Sequence, residues 1–325
     1  VTAPFLLLKF LRHRLRRSAA YLRHGRPLSA APILFANAFP KSGTHLLIQI
    51  LKACTRIGPA VDSGLPAVAM YEGESGARRP TKWILEDLHR LRPGDIAYGH
   101  LHALPRITAF FEQQDAAVFF LYRDPRDVVV SHVHYVTEIE PGHAHHAHYR
   151  SLPDFDARLR TSILGRPELG DLFPDIRARF EPYLGWFDAP GVLSLRFEDL
   201  IENRKPVLSG AKDRKPVLSG AKDRKPVLSG AKDRKLDLSE AKDRKSAIGA
   251  ILDHLAIFNF QFSIFNQSEA VDLLRGAVDP IRSPTFRIGT TGGWRNRFTP
   301  EHRALFKEVA GELLIELGYE SDLSW

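Results

Sequence analysis

The run AAVFFLY at residues 116–122 carries no charged or amide side chain on either parity. Side chains of a strand alternate between its two faces, so a strand made of this run has to be covered on both. That requirement disfavours an open antiparallel sheet with one wet face and points to a parallel sheet enclosed by helices. The rest of the chain repeats the theme. APILFANAF (31–39) is a second apolar strand, and GTHLLIQILKAC after it has helical apolar spacing. DIAYGHL (95–101) reads as a short strand, and GVLSLRFEDL (191–200) as another that again leads into helical sequence. TKWILEDLHRL (81–91) sets Trp83, Ile84, Leu88 and Leu91 at helical intervals, and PEHRALFKEVAGELLIELGY closes the chain as an amphipathic helix. Residues 58–80, rich in Gly, Pro and Ser, read as loop. The expected fold is α/β: a three-layer parallel sheet with helices on both faces. A chain of 325 residues with 44% hydrophobic content can bury such a core. Without a linker that divides two cores, it is expected to form one domain over residues 1–325.

Charge has to be read locally. The formal net charge is +8, but the decapeptide RKPVLSGAKD occurs three times without change from Arg204, and each copy adds +2. The repeats therefore supply +6 of that excess, and the basic balance is weak grounds for a nucleic-acid partner; none is expected. Excising Pro206 to Lys245 joins Lys205 to Ser246 and leaves FEDLIENRKSAIGAILDHLAI, a continuous strand-to-helix passage. Residues 206–245 thus read as an insertion. Pro206, Pro216 and Pro226 interrupt any long helix, and each full copy offers only Val and Leu as large apolar residues. A flexible or weakly helical protrusion is expected, with an arm that binds an acidic partner as the sharper reading. The single cysteine, Cys54, permits no internal disulfide and suits a reducing, cytoplasmic setting.

Three segments carry chemistry. PKSGTH follows an apolar strand and opens a helix: Gly43 permits close backbone approach, Lys41 supplies a charge, and Ser42 and Thr44 supply hydroxyls. The spelling G-x-x-x-x-G-K-[ST] of nucleoside-triphosphate loops is absent. RDPRDVVVS also follows a buried strand and opens a helix, with Asp124 as N-cap and Pro125 at the first helical position. Arg123 and Ser131 are then placed toward the C-terminal ends of the strands, where parallel sheets bind ligands. The alternative is a capped helix with surface ion pairs among Arg123, Asp124, Arg126 and Asp127. RIGTTGGWRNRFT (287–299) is a glycine-rich loop preceded by Arg287, or a turn anchored by Trp294 and Phe298.

In that order, PKSGTHL, RDPRDVVVS and RIGTTGGWRNRFT resemble the segments of the sulfotransferases that use 3′-phosphoadenosine-5′-phosphosulfate (PAPS). LRFEDL is similar to that family's R-Y-E-D-L strand end, and the resemblance spans roughly Ile33 to Tyr319. It implies a phosphate-loop-like fold and transfer of a sulfuryl group from PAPS, without a metal, to a hydroxyl or amine of a small-molecule acceptor. By resemblance, Lys41, Ser42, Gly43, Thr44, His45 and Leu46 cradle the 5′-phosphosulfate. Arg123 and Ser131 hold the 3′-phosphate, joined by Arg287, Ile288 and Gly289. Lys41 is then the electrostatic catalyst, and a histidine of YGHLHALP is the base, His100 ahead of His102. The sequence departs from the family pattern at His45 for Thr, Leu46 for an adenine-stacking Trp, Phe197 for Tyr and Ile288 for Lys.

Other readings remain open at this level. A nucleotide kinase-like phosphotransferase would use Glu198 and Asp199 for magnesium. A non-catalytic nucleotide-binding protein could use the basic repeats on an acidic partner. The histidines at positions 132, 134, 143, 145, 146 and 148 read as a polar acceptor loop rather than a zinc or copper site. The basic start, FLLLKFLRHRLRRSAAYLRHG, reads as a surface helix packing Phe5, Leu8 and Leu11 on the body, or as a helix making weak contact with a membrane surface.

Overall fold

The computed structural model describes residues 3–202, 246–263, 266–279 and 291–325. Its helices up to the second motif are α1 (Ala3–His24), α2 (Arg26–Ser29), α3 (Thr44–Ala53), α4 (Thr81–Leu88), α5 (Pro105–Gln113) and α6 (Pro125–His134). Beyond it run α7 (His146–Ser151), α8 (Phe155–Leu164), α9 (Ile176–Leu184), α10 (Phe197–Glu202), α11 (Ala247–Ile257), α12 (Gln267–Arg275) and α13 (Pro300–Glu316). The strands are β1 (Ile33–Ala38), β2 (Val61–Asp62), β3 (Val68–Ala69), β4 (Asp95–His100), β5 (Ala116–Tyr122) and β6 (Val192–Arg196). All pair in parallel, in the order β2-β4-β1-β5-β6, with β3 also on β4.

The central strands are buried along their whole length, as their unbroken apolar runs require. On one face Ile33 and Phe35 of β1 and Val118 and Phe120 of β5 meet α5, α6, α8, α9 and α13. On the other, Leu34 and Ala36 with Ala117 and Phe119 meet α3, α11 and α12. The three-layer α/β architecture is therefore realised, with one core on each side of a single sheet.

Three local readings need correction. Residues 58–80 are not all loop. Their two short strands pair with the outer edge of β4, whose backbone groups would otherwise lack partners. Trp83 is exposed on α4, while Ile84 and Leu88 of the same helix are fully buried. Most far-reaching is α1: Leu8 and Leu11 point to solvent, and the side that docks carries His13 and Arg17, both paired with the buried Asp95 at 2.9 and 2.7 Å. A buried carboxylate needs partners more than the sheet edge needs two more leucines, so the charge sets the helix's rotation. Phe5 and the repeats of residues 206–245 lie outside the described side chains. The elements flanking the repeats share one core, through Leu200 of α10 and Ala247 and Ile248 of α11.

Candidate functional site

Beyond Ala38 the chain makes a tight turn into α3, closed by the Ser42 N–H donating to the Phe39 carbonyl at 3.2 Å. Lys41 at φ 71° and Gly43 at φ 94° both take left-handed backbone, a conformation that costs a lysine about 1 kcal/mol and is retained where the surroundings demand it. Gly43 begins α3 without a side-chain cap, and the first N–H groups of a helix have no intrahelical acceptors. The Ser42 hydroxyl is fully buried and has no hydrogen-bond partner among the described residues. An uncapped helix start, an orphaned hydroxyl and a lysine together form a cradle suited to an anion. Thr44 is buried at this start and His45 half-buried. Leu46, by contrast, is buried in the core on the α3 face of the sheet, so no adenine-stacking surface comes from its side chain.

Only glycine fits at position 43. A Cβ there would lie 2.4 Å from the Phe197 ring. Gly43→Ala should therefore lower stability by about 2 kcal/mol or more, from the backbone conformation and the clash combined. Urea unfolding midpoints check it.

Phe197 also joins the first two motifs. The Arg123 guanidinium lies over its ring at 4.4 Å. The charges of Lys41 and Arg123 are neighbours: burial first, then Arg123, bring the Lys41 ammonium down to about 7. Its Nζ sits 3.6 Å from the centre of the Tyr135 ring. Tyr135 follows Ser131 by four residues, so the two share a face, and Tyr135 opens a π-helical turn that continues α6.

The second motif is capped as expected: the Asp124 carboxylate accepts from the Arg126 N–H at 2.9 Å. Its ion pairs, however, are structural and buried rather than solvated. Arg126 is sealed between Asp124 and Glu320, with its guanidinium 4.0 Å from the Trp294 ring centre and 4.5 Å from that of Trp325. Asp127 lies 3.5 Å from Arg123 and accepts from the Gly292 and Trp294 N–H groups at 2.8 and 2.9 Å. Burial outweighs Arg123 and holds the Asp127 carboxyl above its ordinary value. Asp127 thus fastens the third motif beside the second. Arg287, Ile288 and Gly289 lie outside the described residues; the chain is described again from Thr291.

His100 ends β4, next to β1. Its Nδ1 is 2.8 Å from the Ala38 carbonyl, which can only accept, so Nδ1 carries the proton and Nε2 is left as the basic atom. Burial, with smaller contributions from His45 and Lys41, lowers its pKa against the upward pull of that hydrogen bond. The following residue is clamped: Asn37 exchanges hydrogen bonds with the Leu101 backbone at 2.8 and 3.0 Å, and Trp186 donates to the Leu101 carbonyl at 2.7 Å. His102 points elsewhere, into the rings of Tyr71 and Tyr183, and burial takes it down to about 4.

The histidine-rich stretch is mostly helical rather than loop, since α6, the π turn and α7 run through it. His132 is buried against Phe173, with Nδ1 near Ser162 Oγ and the Tyr149 hydroxyl. His143 faces both His132 and Tyr135. Among the described residues no group of three His, Cys, Asp or Glu side chains converges as a metal site. Glu198 is taken up elsewhere: it accepts from the Asp124 N–H and the Tyr319 hydroxyl at 3.2 and 2.9 Å, and burial pushes its carboxyl up to about 6. Asp199 is buried.

Sequence reasoning passed over Tyr135, Asn37 and the tethering role of Asp127. The i, i+4 spacing from Ser131 was the available signal for Tyr135, and the Asp within RDPRD that for Asp127.

A family model described as a sulfotransferase domain matches residues 33–209, more than half of the chain, and the protein belongs to that family. Among solved structures it is similar to a mouse sulfotransferase, SULT7A1, complexed with PAP, at 18% identity and a TM-score of 0.49, covering 92% of this chain and 90% of that one. It is also similar to retinol dehydratase in a complex with retinol and PAP, at 15% identity and a TM-score of 0.46, covering 90% and 85%. The same enzyme with androsterone and inactive cofactor PAP aligns at 14% identity and a TM-score of 0.49, covering 91% and 85%. No curated protein matches the sequence.

Proposed function

We propose that the protein moves a sulfuryl group from PAPS to a hydroxyl or amine of a small-molecule acceptor in the cytoplasm. One observation carries this reading. The Gly43 turn, whose Ser42 hydroxyl is buried without a hydrogen-bond partner among the described residues, and the Arg123 guanidinium both lie against one ring, that of Phe197, which supports reading them as two neighbouring points for anions. A donor with a phosphosulfate at one end of its ribose and a 3′-phosphate at the other suits two such points. The residues from Lys41 to Leu46 take the 5′ end through backbone N–H groups, hydroxyls and the ammonium. Arg123 and Ser131 take the 3′-phosphate, with Arg287, Ile288 and Gly289 completing that end.

His100 Nε2 removes the proton of the acceptor hydroxyl as its oxygen bonds to sulfur. The bond from sulfur to the bridging phosphate oxygen breaks, and that oxygen keeps the electron pair. Lys41 stabilises this negative charge, at a point where a preorganised cation acts without solvent rearrangement. An acceptor screen with labelled PAPS tests the reading: acceptor-dependent release of adenosine 3′,5′-diphosphate together with a sulfated product is the expected result. Sulfate appearing in water with every acceptor class would overturn it.

Arg123→Ala should weaken binding of adenosine 3′,5′-diphosphate by about 1.5–3 kcal/mol, the worth of a charge-assisted contact. Adenosine 5′-phosphate, lacking the 3′ group, should bind nearly as before. Calorimetry that finds equal losses for both nucleotides would place Arg123 away from the 3′-phosphate.

The same reading treats residues 1–325 as one domain with 206–245 as an insertion. Deleting Pro206–Lys245 should leave a folded enzyme with near-normal donor affinity, since α10 and α11 already meet in one core and a shorter connection is easier to close. A deletion variant that aggregates or no longer binds nucleotide would make the repeats part of the body.

A further inference from the structure

The outer face of α1 has no role in the site. Leu7, Leu11, Leu15 and Leu22 recur at intervals of four, four and seven, so they form one stripe along the helix, with Leu8 at its margin. These five are 72%, 53%, 63%, 88% and 42% exposed, which makes the stripe the most concentrated group of exposed large apolar side chains described in the protein. The helix cannot turn to hide it. Its opposite side is held by His13 and Arg17 on Asp95 and by the Arg16 guanidinium on the Asp62 carbonyl at 3.2 Å.

The charge around the stripe narrows the choice of occupant. α1 contains Lys9, Arg12, Arg14, Arg16, Arg17 and Arg23 and no Asp or Glu. By helical angle Arg14 lies on one margin of the leucines and Arg12 and Arg23 on the other, and all three are exposed. A second copy of the helix would set arginine against arginine. A nucleic acid would take the arginines and leave the leucines in water. A helix with six cations is too polar to cross a bilayer, and no described helix is long and apolar enough to do so. A surface with acyl chains beneath and negative headgroups above meets both parts of this pattern.

We propose that α1 lies in the plane of an anionic lipid bilayer, its leucines inserted at the boundary of headgroups and chains and Arg12, Arg14 and Arg23 on the lipid phosphates and carboxylates. The helix is moored to Asp95, the first residue of β4, whereas His100 is the last residue of that strand. Docking therefore leaves the opposite end of the sheet, with its anion-binding turns, open to solvent.

Flotation of the full chain with vesicles of phosphatidylcholine and about one-third phosphatidylserine tests this. The chain should float with these vesicles and remain behind with phosphatidylcholine alone. Leu11→Gln with Leu15→Gln should abolish flotation. Arg12→Gln with Arg14→Gln should weaken it by about tenfold or more, as expected for charges near an anionic surface. All four positions are exposed, and unchanged circular dichroism and thermal melting verify the fold of each variant. Equal binding to neutral vesicles, or no binding to either, would overturn the proposal. So would sedimentation showing that the leucines instead drive dimer formation.

Discussion

Replacing Lys41 with alanine is expected to lower turnover by at least about 3 kcal/mol of transition-state energy, with a much smaller loss of affinity for the product nucleotide. The split follows from where the charge acts. In the proposed function, ground-state binding is shared among the backbone of the turn, the hydroxyls and Arg123. In the same proposal, the charge on the departing oxygen develops only as the sulfuryl group leaves, next to the ammonium. A second readout uses the protonation state. The Lys41 ammonium is brought down to about 7 by burial and by Arg123. An anion beside it favours the charged form and raises that value. Between the two values binding takes up a proton, so nucleotide affinity should fall as pH rises above about 7. Calorimetry in buffers of different ionisation enthalpy measures that uptake in the parent protein, and Lys41→Ala should lack it. A folded variant with unchanged turnover would remove Lys41 from the chemistry. Its Nζ lies 3.6 Å from the centre of the Tyr135 ring, within reach of a cation–π contact.

His100→Ala should reduce transfer to hydroxyl acceptors by about 10²–10⁴-fold, the usual worth of a positioned base, while donor affinity stays near that of the parent. Two features suit His100 to the proposed role. The Ala38 carbonyl accepts from Nδ1–H and leaves Nε2 as the basic atom, and burial lowers the pKa, favouring the neutral ring. His102→Ala should act differently. That ring fills space between Tyr71 and Tyr183, so its loss should appear in the melting temperature rather than in the pH profile of turnover. If His102→Ala proves the more damaging to turnover at equal stability, the two residues exchange roles.

Much of this was legible in the order of residues. β5 is the run AAVFFLY, and its burial on both faces follows from having no polar parity to turn outward. The N-cap at Asp124 is equally local, because its carboxylate accepts from the backbone N–H two residues further on, past a proline that needs no acceptor. Likewise the turn at Lys41–Gly43 announces itself between a strand and a helix. Such features depend on neighbours a few residues away, and periodicity and capping report them directly.

The assembly of the site does not depend on near neighbours. Asp127 holds the backbone at Gly292 and Trp294, 165 and 167 residues further along the chain. Phe197 fills the space against Gly43 and carries Arg123, so one ring far from both motifs spaces them. Nothing in the periodicity of residues 125–134 or 197–202 announces these contacts, because they arise only when parallel strands distant in sequence end side by side. The same holds for α1. Its amphipathic pattern is plain in the sequence, yet the pattern is symmetric between leucines turned inward and leucines turned outward. Asp95, buried at the start of β4 and in need of cations, breaks that symmetry and turns the leucines to solvent.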